Sequence, residues 1–371
     1  MADNKLVQKA GDGSQQVQAG TVIINNGITE ERCRAIYSEL SEKALADQTA
    51  EGTAIAEQRI QKLEEKLLPR IQSLENDFSS FSDPSFQILI KKAQITAGCS
   101  DRELDYGLLT ELIAHRINNK GNIKKKASIE KAVEIIDKID NDALCGLTLF
   151  HAMNRFSPVS GIIDDGLRVI DDLYSKCQYM DLPTGQDWLD NLEILGAIRI
   201  NQISSFNKFE DCLANSWDGY ACIGIAKDSP DYTDCCAKLK SVQISEGILI
   251  KNTLLEGYVR LPVLSRTAID KLAYTVPMTI HNLSIPIPLK IELSPEQKEV
   301  LYQIYDKYSN DAHLLEQAKK RFKDILISHK HINTACQWWG QIKTSFNVTS
   351  IGSAIAQANA KRIDNNLPDI D

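Results

Sequence analysis

The chain has 371 residues, 43% of them apolar and 25% charged, with a net charge of −8 and a pI near 5.4. That composition is globular and long enough for two or three domains, and its acidic balance argues against a generic nucleic-acid or anionic-membrane binder. No stretch approaches the roughly 18 to 20 apolar residues of a membrane span, and Met1–Lys5 lacks a signal-peptide run, so a cytosolic protein without membrane contact is expected.

The first distinctive stretch is Gly11–Gly27, which carries no charge beyond Gly13. As a strand it would place Val17, Ala19, Thr21 and Ile23 on one side and Gln16, Gln18, Val22 and Ile24 on the other, with Asn25-Asn26-Gly27 as a turn. A segment this short is not stable alone, so it pairs either with the helical body or edge to edge with other copies. Val17, Ala19, Val22, Ile23 and Ile24 are therefore candidates for self-association, and an unpaired N-terminal arm is the alternative.

Thr29 caps a predicted helix over about 30–46, with Glu30 and Glu31 at its positive end. After Gly52, the residues Ile60, Leu63, Leu67, Ile71, Leu74 and Phe78 step by three or four along one face of an amphipathic helix. Pro69 predicts a kink or a break near Leu68. Packing within the chain is favoured over a coiled coil, since three heptads are marginal; Ile60, Leu63, Leu67 and Ile71 are the oligomerisation candidates if the seam joins subunits.

From Asp83 to Met180 the pattern predicts short antiparallel helices. Asp83-Pro84 and a capping box at Ser100–Glu103 give starts, Ser128 and Asn141 cap the next two, and Ser157-Pro158 precedes a helix over Ile162–Tyr174. Asn118–Lys126 reads as a solvated loop whose Lys120, Lys124, Lys125 and Lys126 are the candidate contacts for nucleic acid or phosphate. Asp164-Asp165 and Asp171-Asp172 read as solvated positions.

Beyond Asp187, three apolar helical segments are each followed by a glycine and a β-branched run: Trp188–Leu195 then Gly196–Ile200, Cys236–Ile244 then Gly247–Ile250, and Ile332–Trp339 then Gly340–Ile342. The second continues through Tyr258–Leu261 to a predicted helix at Ser265–Tyr274, and the third through Phe346 into a Thr-capped helix. Helix, hairpin, helix is a winged-helix-like order. Cys236–Ile244 has only Lys238 and Lys240 as bases, so protein packing is favoured over DNA reading. Proline-rich Pro277–Leu293 is extended and joins two lobes; Ser294-Pro295 starts a helix, another follows over 311–327, and the acidic tail Asn365–Asp371 is expected to fray.

Chemistry-bearing motifs are missing from the sequence: it has no phosphate loop, nucleophile elbow or His-Glu-x-x-His. His329-Lys-His331 has Cys336 nearby but no fourth ligand beside it, and the nine cysteines contain no Cys-x-x-Cys pair, so reduced packing residues are expected. Trp217, Trp338 and Trp339 read as core or interface anchors. No catalytic, metal or cofactor-binding residue is assigned.

Three stretches, Gly11–Gly20, Asp83–Gln87 with Ala93-Gln94, and Val348–Arg362, together resemble the LPO/Vpar-type family of uncharacterised bacterial proteins. The resemblance spans most of the chain and implies no activity. The fold expected is mainly α with minor β: an N-terminal β segment (1–28), a helical hairpin (29–80), a helical bundle (81–185) and two winged-helix-like α+β lobes (186–276 and 277–371). The function expected is that of a non-enzymatic bacterial interaction or sensor protein, a homo-oligomer with a protein partner, suited to phage defence or stress response. The alternatives are a winged-helix nucleic-acid-binding regulator helped by Lys124–Lys126 or Lys361-Arg362, and an enzyme whose site is assembled from distant residues.

Overall fold

The computed structural model describes residues 28–45, 50–75, 77–278 and 287–369. Val17, Ala19, Val22, Ile23 and Ile24 lie outside them. The described chain is mainly helical with a few short strands. Its first half comprises α1 (Glu30–Leu45), α2 (Ala50–Leu74), α3 (Pro84–Cys99), α4 (Glu103–Asn118), α5 (Ile123–Ile135), α6 (Asn141–Arg155) and α7 (Ile163–Cys177). Then come α8 (Asp187–Ile194), β1 (Ile198–Asn201), α9 (Phe209–Ser216), β2 (Ile225–Ala226), α10 (Pro230–Ser241), β3 (Ile250–Lys251) and β4 (Tyr258–Arg260). The remainder is β5 (Ala273–Met278), β6 (Ile287–Glu292), α11 (Pro295–Tyr305), α12 (Ala312–Ser328), α13 (Lys330–Gln341), β7 (Ser345–Val348) and α14 (Ser350–Ile363).

Helix starts follow local side-chain chemistry. Thr29 Oγ1 accepts from Arg32 N at 3.2 Å, Asp83 accepts from Ser85 N at 2.9 Å ahead of Pro84, and Ser294 forms a full capping box with Gln297. The Ser100–Glu103 box does not form. The Ser100 hydroxyl instead donates to the carboxylate of Asp105, which is wholly buried and needs a partner more than an exposed helix end does. Asn122 caps α5 by accepting from Lys125 N at 3.1 Å, so Lys124, Lys125 and Lys126 lie in a helix rather than a loop, and Ser128 lies inside that helix. Asp140, not Asn141, caps α6, and Ser229-Pro230 opens α10 well before Cys236. The helix expected at Ser265–Tyr274 is a 3-10 turn over Arg266–Lys271 that runs into β5.

α2 continues through Pro69 without a break. Its seam is fully committed within the chain: Ile60, Leu63, Leu67 and Ile71 are buried on a helix that packs against α3 and α4, and they offer no intersubunit surface. Arg70 closes the outer side of this contact with a two-pronged ion pair to Glu111 at 2.9 and 3.0 Å.

The hydrophobic clusters divide the chain differently from the expected lobes. One cluster runs from Cys33 to Ala360 and takes in α1 to α9 and α12 to α14; the other joins β2, β4, α10 and α11. The reason is long-range strand pairing. β1 and β7, expected in two separate winged units, pair antiparallel with each other, Ile198 opposite Val348. Thr349 then donates from N to Ala197 O at 2.9 Å and from Oγ1 to Gly196 O at 2.7 Å, while its Oγ1 accepts from Gly352 N and caps α14. This returns the end of the chain to the first bundle, where α14 packs against α4, α5 and α6. In the middle unit the sheet order is β2-β4-β3 with α10 between β2 and β3; a 3-10 turn at Glu246–Ile248 precedes the β3–β4 hairpin and the 3-10 turn at Arg266–Lys271 follows it where a helix was expected. β5 and β6 pair antiparallel, so the segment around Pro277 and Pro288 is a two-stranded ribbon.

Among the described tail residues the expected fraying does not occur. Gln357 Nε2 donates to Pro368 O at 2.8 Å, Asn118 Nδ2 donates to Asp369 at 3.1 Å, and Leu367 packs against the core.

Pro69 in a continuous helix withholds a main-chain donor and crowds the preceding turn, a cost of about 3 kcal/mol in a helix interior. Pro69→Ala is expected to raise stability by about 1 to 3 kcal/mol in urea unfolding, whereas a loss would show that α2 depends on the proline. Gly352 faces the opposite test. A Cβ there would lie 2.1 Å from Ala197 O, a main-chain atom held by the β1–β7 junction. Gly352→Ala is therefore expected to lose about 1 to 3 kcal/mol despite the higher helix propensity of alanine, and unchanged stability would contradict this packing.

Candidate functional site

Three helices from the middle of the chain and one from its end enclose a cavity of about 240 Å³. α4 contributes His115; α5 contributes Lys124, Lys125, Ser128 and Ile129; α6 contributes His151; and α14 contributes Ser350, Ser353, Ala354 and Gln357. Both α5 and α14 begin here, and Ser128 Oγ donates to Ser350 Oγ at 2.7 Å across the join. Each helix start carries the positive end of its peptide dipoles.

His151 is the buried polar centre of the cleft, only 3% exposed. Gln357 Nε2 donates to the Pro368 carbonyl, which leaves Gln357 Oε1 to accept from His151 Nε2–H at 3.0 Å. Burial pushes the imidazole pKa below its ordinary 6.5; the Gln357 hydrogen bond opposes this and the Arg155 charge adds to it. The ring is therefore neutral at neutral pH.

A second compartment of about 440 Å³ adjoins the first and shares His151, Ser350 and Ser353 with it. Its wall is aromatic, from Phe150, Phe206 and Phe346, and its polar groups include Asn154, Arg155 and Asn347. The wall is rigid. Phe150 stacks on Trp339 with centroids 4.9 Å apart and meets Phe346 at 4.4 Å, and Trp339 Nε1 donates to Asn207 O at 2.9 Å. Among the described residues no Asp or Glu lines either compartment.

Of the four lysines singled out in the sequence, the fold brings Lys124 and Lys125 to the cleft. Lys120 is held by Glu75 at 2.8 Å, and Lys126 does not line either compartment. Lys361 pairs with Asp369, and Arg362 donates to Asn359 at 2.8 Å with its guanidinium over the Tyr179 ring. These charges are engaged within the fold rather than gathered into one basic patch. Asp171 accepts from the main-chain N of His331 and Ile332 at 2.8 and 2.9 Å, capping α13, which gives that carboxylate a structural place. Asp165 pairs with Arg168 and Asp172 with Lys176. Trp217, Trp338 and Trp339 are buried, and all nine cysteines are free. Burial pushes the Cys33, Cys145, Cys177, Cys222 and Cys336 thiols to about 12, far from a reactive thiolate. Among the described residues no group of three or more His, Cys, Asp or Glu is placed to hold a metal ion.

Sequence reasoning missed His115, His151, Ser350, Ser353 and Gln357. The available signal was polarity on apolar surface: His151 interrupts the run Leu147–Met153, and Gln357 and Asn359 interrupt the alanines of α14.

A protein-family model matches residues 27–369. The chain belongs to the LPO/Vpar-type family of uncharacterised bacterial proteins. No curated protein and no solved structure matches it. The family match takes in every residue of the cleft and leaves nearly all of Gly11–Gly27 outside.

Because His151 is buried neutral, unfolding exposes a ring that takes up a proton below about pH 6.5. The unfolded state then binds more protons, so this residue makes stability fall as pH drops through that value. His151→Gln, which retains a donor for Gln357, is expected to lose less stability than the wild type between about pH 7 and pH 5. Parallel pH profiles for the two proteins would contradict a buried neutral His151.

Proposed function

We propose that this family member is a non-enzymatic interaction and sensor protein, and that its ligand-responsive part is the cleft between α4, α5, α6 and α14. The observation that carries the reading is how the polar side chains of the cleft are paired. Among the described residues, His151 bonds an amide oxygen and the Ser128 hydroxyl bonds the Ser350 hydroxyl, two pairs in which no nucleophile meets a base. Groups arranged in this way can hold and orient a ligand. Because α14 is both a wall of the cleft and a buried helix of the body, occupancy of the cleft would alter the stability of the whole bundle.

A cytosolic setting agrees with the finding that no helix among the described residues is long and apolar enough to cross a membrane. Self-association through Gly11–Gly27 belongs to the same proposal and rests on its β-branched sequence, uncharged beyond Gly13. The nucleic-acid reading has less support: the lysines expected to serve it are dispersed, and the turn before the winged hairpin carries Glu246.

Two measurements test the proposal. A thermal-shift screen of small anionic and neutral compounds is expected to give hits on the wild type that Ser353→Trp, which fills the cleft, abolishes. A screen without hits, or one unchanged by Ser353→Trp, would contradict a ligand-responsive cleft. Light scattering after size exclusion is expected to show an oligomer for the full chain and a monomer for residues 29–371; equal subunit counts would remove the β segment as the assembly device.

A further inference from the structure

We infer that the second compartment receives the N-terminal segment of another copy, which adds a third strand to the outer edge of β7. This rests on the self-association reading and names the surface that Gly11–Gly27 meets. The register of the β1–β7 pair shows which groups that edge offers. Thr349 N donates to Ala197 O, so residues 197 and 349 form a bonded pair, and alternation makes Ile198–Val348 and Ile200–Phe346 the pairs that exchange no bonds. Ile200 N–H agrees with this, since it donates away from β7 to Glu193 at 2.8 Å. Phe346 and Val348 therefore turn their N–H and C=O groups away from β1, and among the described residues no further strand pairs there. Those groups face the compartment of about 440 Å³. Phe346, Asn347, Val348, Thr349 and Ser350 line it consecutively, whereas a strand presenting a face would line it with alternate residues.

The other sheet edges among the described residues are closed or short. Glu193 occupies the outer edge of β1, and β2 and β3 have two residues each. In the β5–β6 ribbon Pro277 stands opposite Pro288, a pairing open only to residues that exchange no bonds, so each outer edge lacks a donor there. Beside β7, in contrast, the edge has an aromatic floor of Phe150, Phe206 and Phe346, with the amides of Asn154 and Asn347 at its rim. Val17–Ile24 suits that groove: it is rich in β-branched residues, brings no charge among the rings, and is too short to be stable as a strand alone. The place where the described chain begins gives the reach. Ile28 N donates to Asp77 O, and the neighbouring Glu75 holds Lys120, just ahead of the α5 turn that lines the adjoining compartment. The segment thus leaves the bundle on the side of the cleft, and residues 24 to 17 span about 13 to 36 Å from Ile28 when extended. Two copies related by a twofold axis each give a segment and receive one, and that exchange closes at a dimer.

Photo-cross-linking and light scattering on the full chain test this. A photoreactive benzophenone side chain in place of Thr21, on chain mixed with isotope-labelled unmodified chain, is expected to attach to β7 or α6 of the labelled copy. Light scattering is expected to give two copies for the wild type and one for Val348→Pro, which removes an outward N–H while leaving the β1–β7 bonds in place. Ser353→Trp, which fills the groove, is expected to do the same, and excess peptide of residues 11–27 to split the wild-type dimer. Cross-links elsewhere on the labelled copy, or a dimer that survives both substitutions, would overturn docking at β7 and leave self-association standing. Cross-links confined to the photoreactive chain would place the segment on its own groove and overturn the exchange. A wild-type monomer at high micromolar concentration without cross-links between copies would sink the exchange and self-association together. The cross-link needs no change in the groove, so it decides the matter even where a substitution disturbs the fold.

Discussion

The fold depends on the burial of α14. From Gly352 to Ala360 its residues are almost all shielded from solvent except Ser353, although the helix is built mostly of small side chains. Alanines at 354, 356, 358 and 360 remove little apolar surface individually, but they let α4, α5 and α6 approach closely. The approach is fixed at the entrance to the helix, where β1 and β7 pair, Thr349 bonds two carbonyls of the β1 turn, and Gly352 passes the Ala197 carbonyl with no room for a Cβ. A sequence separation of well over a hundred residues is thereby closed, and the cleft exists only because it is.

Polar side chains inside the body act as locators. Asn359 donates to Thr148 Oγ1 at 2.8 Å, tying α14 to α6, and Gln357 connects His151 to the tail through Pro368. Arg260 fastens the unit around β2, β3 and β4 to the helical body in the same way. Its guanidinium donates to the carbonyls of Gly219, Leu261 and Gly161 at 3.0 to 3.2 Å and lies over the Tyr220 ring. Gly161 is needed there because a Cβ would collide with Pro262 O. A wrong register would leave these buried groups unpaired at a cost of about 1 to 3 kcal/mol each, more for a charge. Such groups therefore select one arrangement of the helices.

What was legible in the sequence was local. Thr29, Asp83-Pro84 and Ser294-Pro295 mark helix starts because a cap reads only three or four residues. The α2 seam is legible because strong amphipathicity needs no knowledge of the partner, but it does not say whether that partner is another subunit, and α3 and α4 cover it. Pro69 misleads because burial of Leu67, Leu68 and Ile71 on the same helix outweighs its local cost. Non-local features were hidden. Ile198–Asn201 and Ser345–Val348 each look like one arm of a local hairpin, and nothing in either segment names the other. The cleft as a set was hidden for the same reason: Lys124 stood out only as one of four lysines, His151 only as a polar residue in an apolar run, and they meet Ser353 only when α14 is placed.

The claim on which both fold and site rest is that the C-terminal helix is an integral part of the N-terminal bundle. Native-state hydrogen exchange of the full chain measures this directly. The account predicts that the amides of α14 beyond its first turn open only with global unfolding, together with those of α4 and α6. Exchange of α14 through a cheaper local opening, with α4 and α6 still protected, would contradict it.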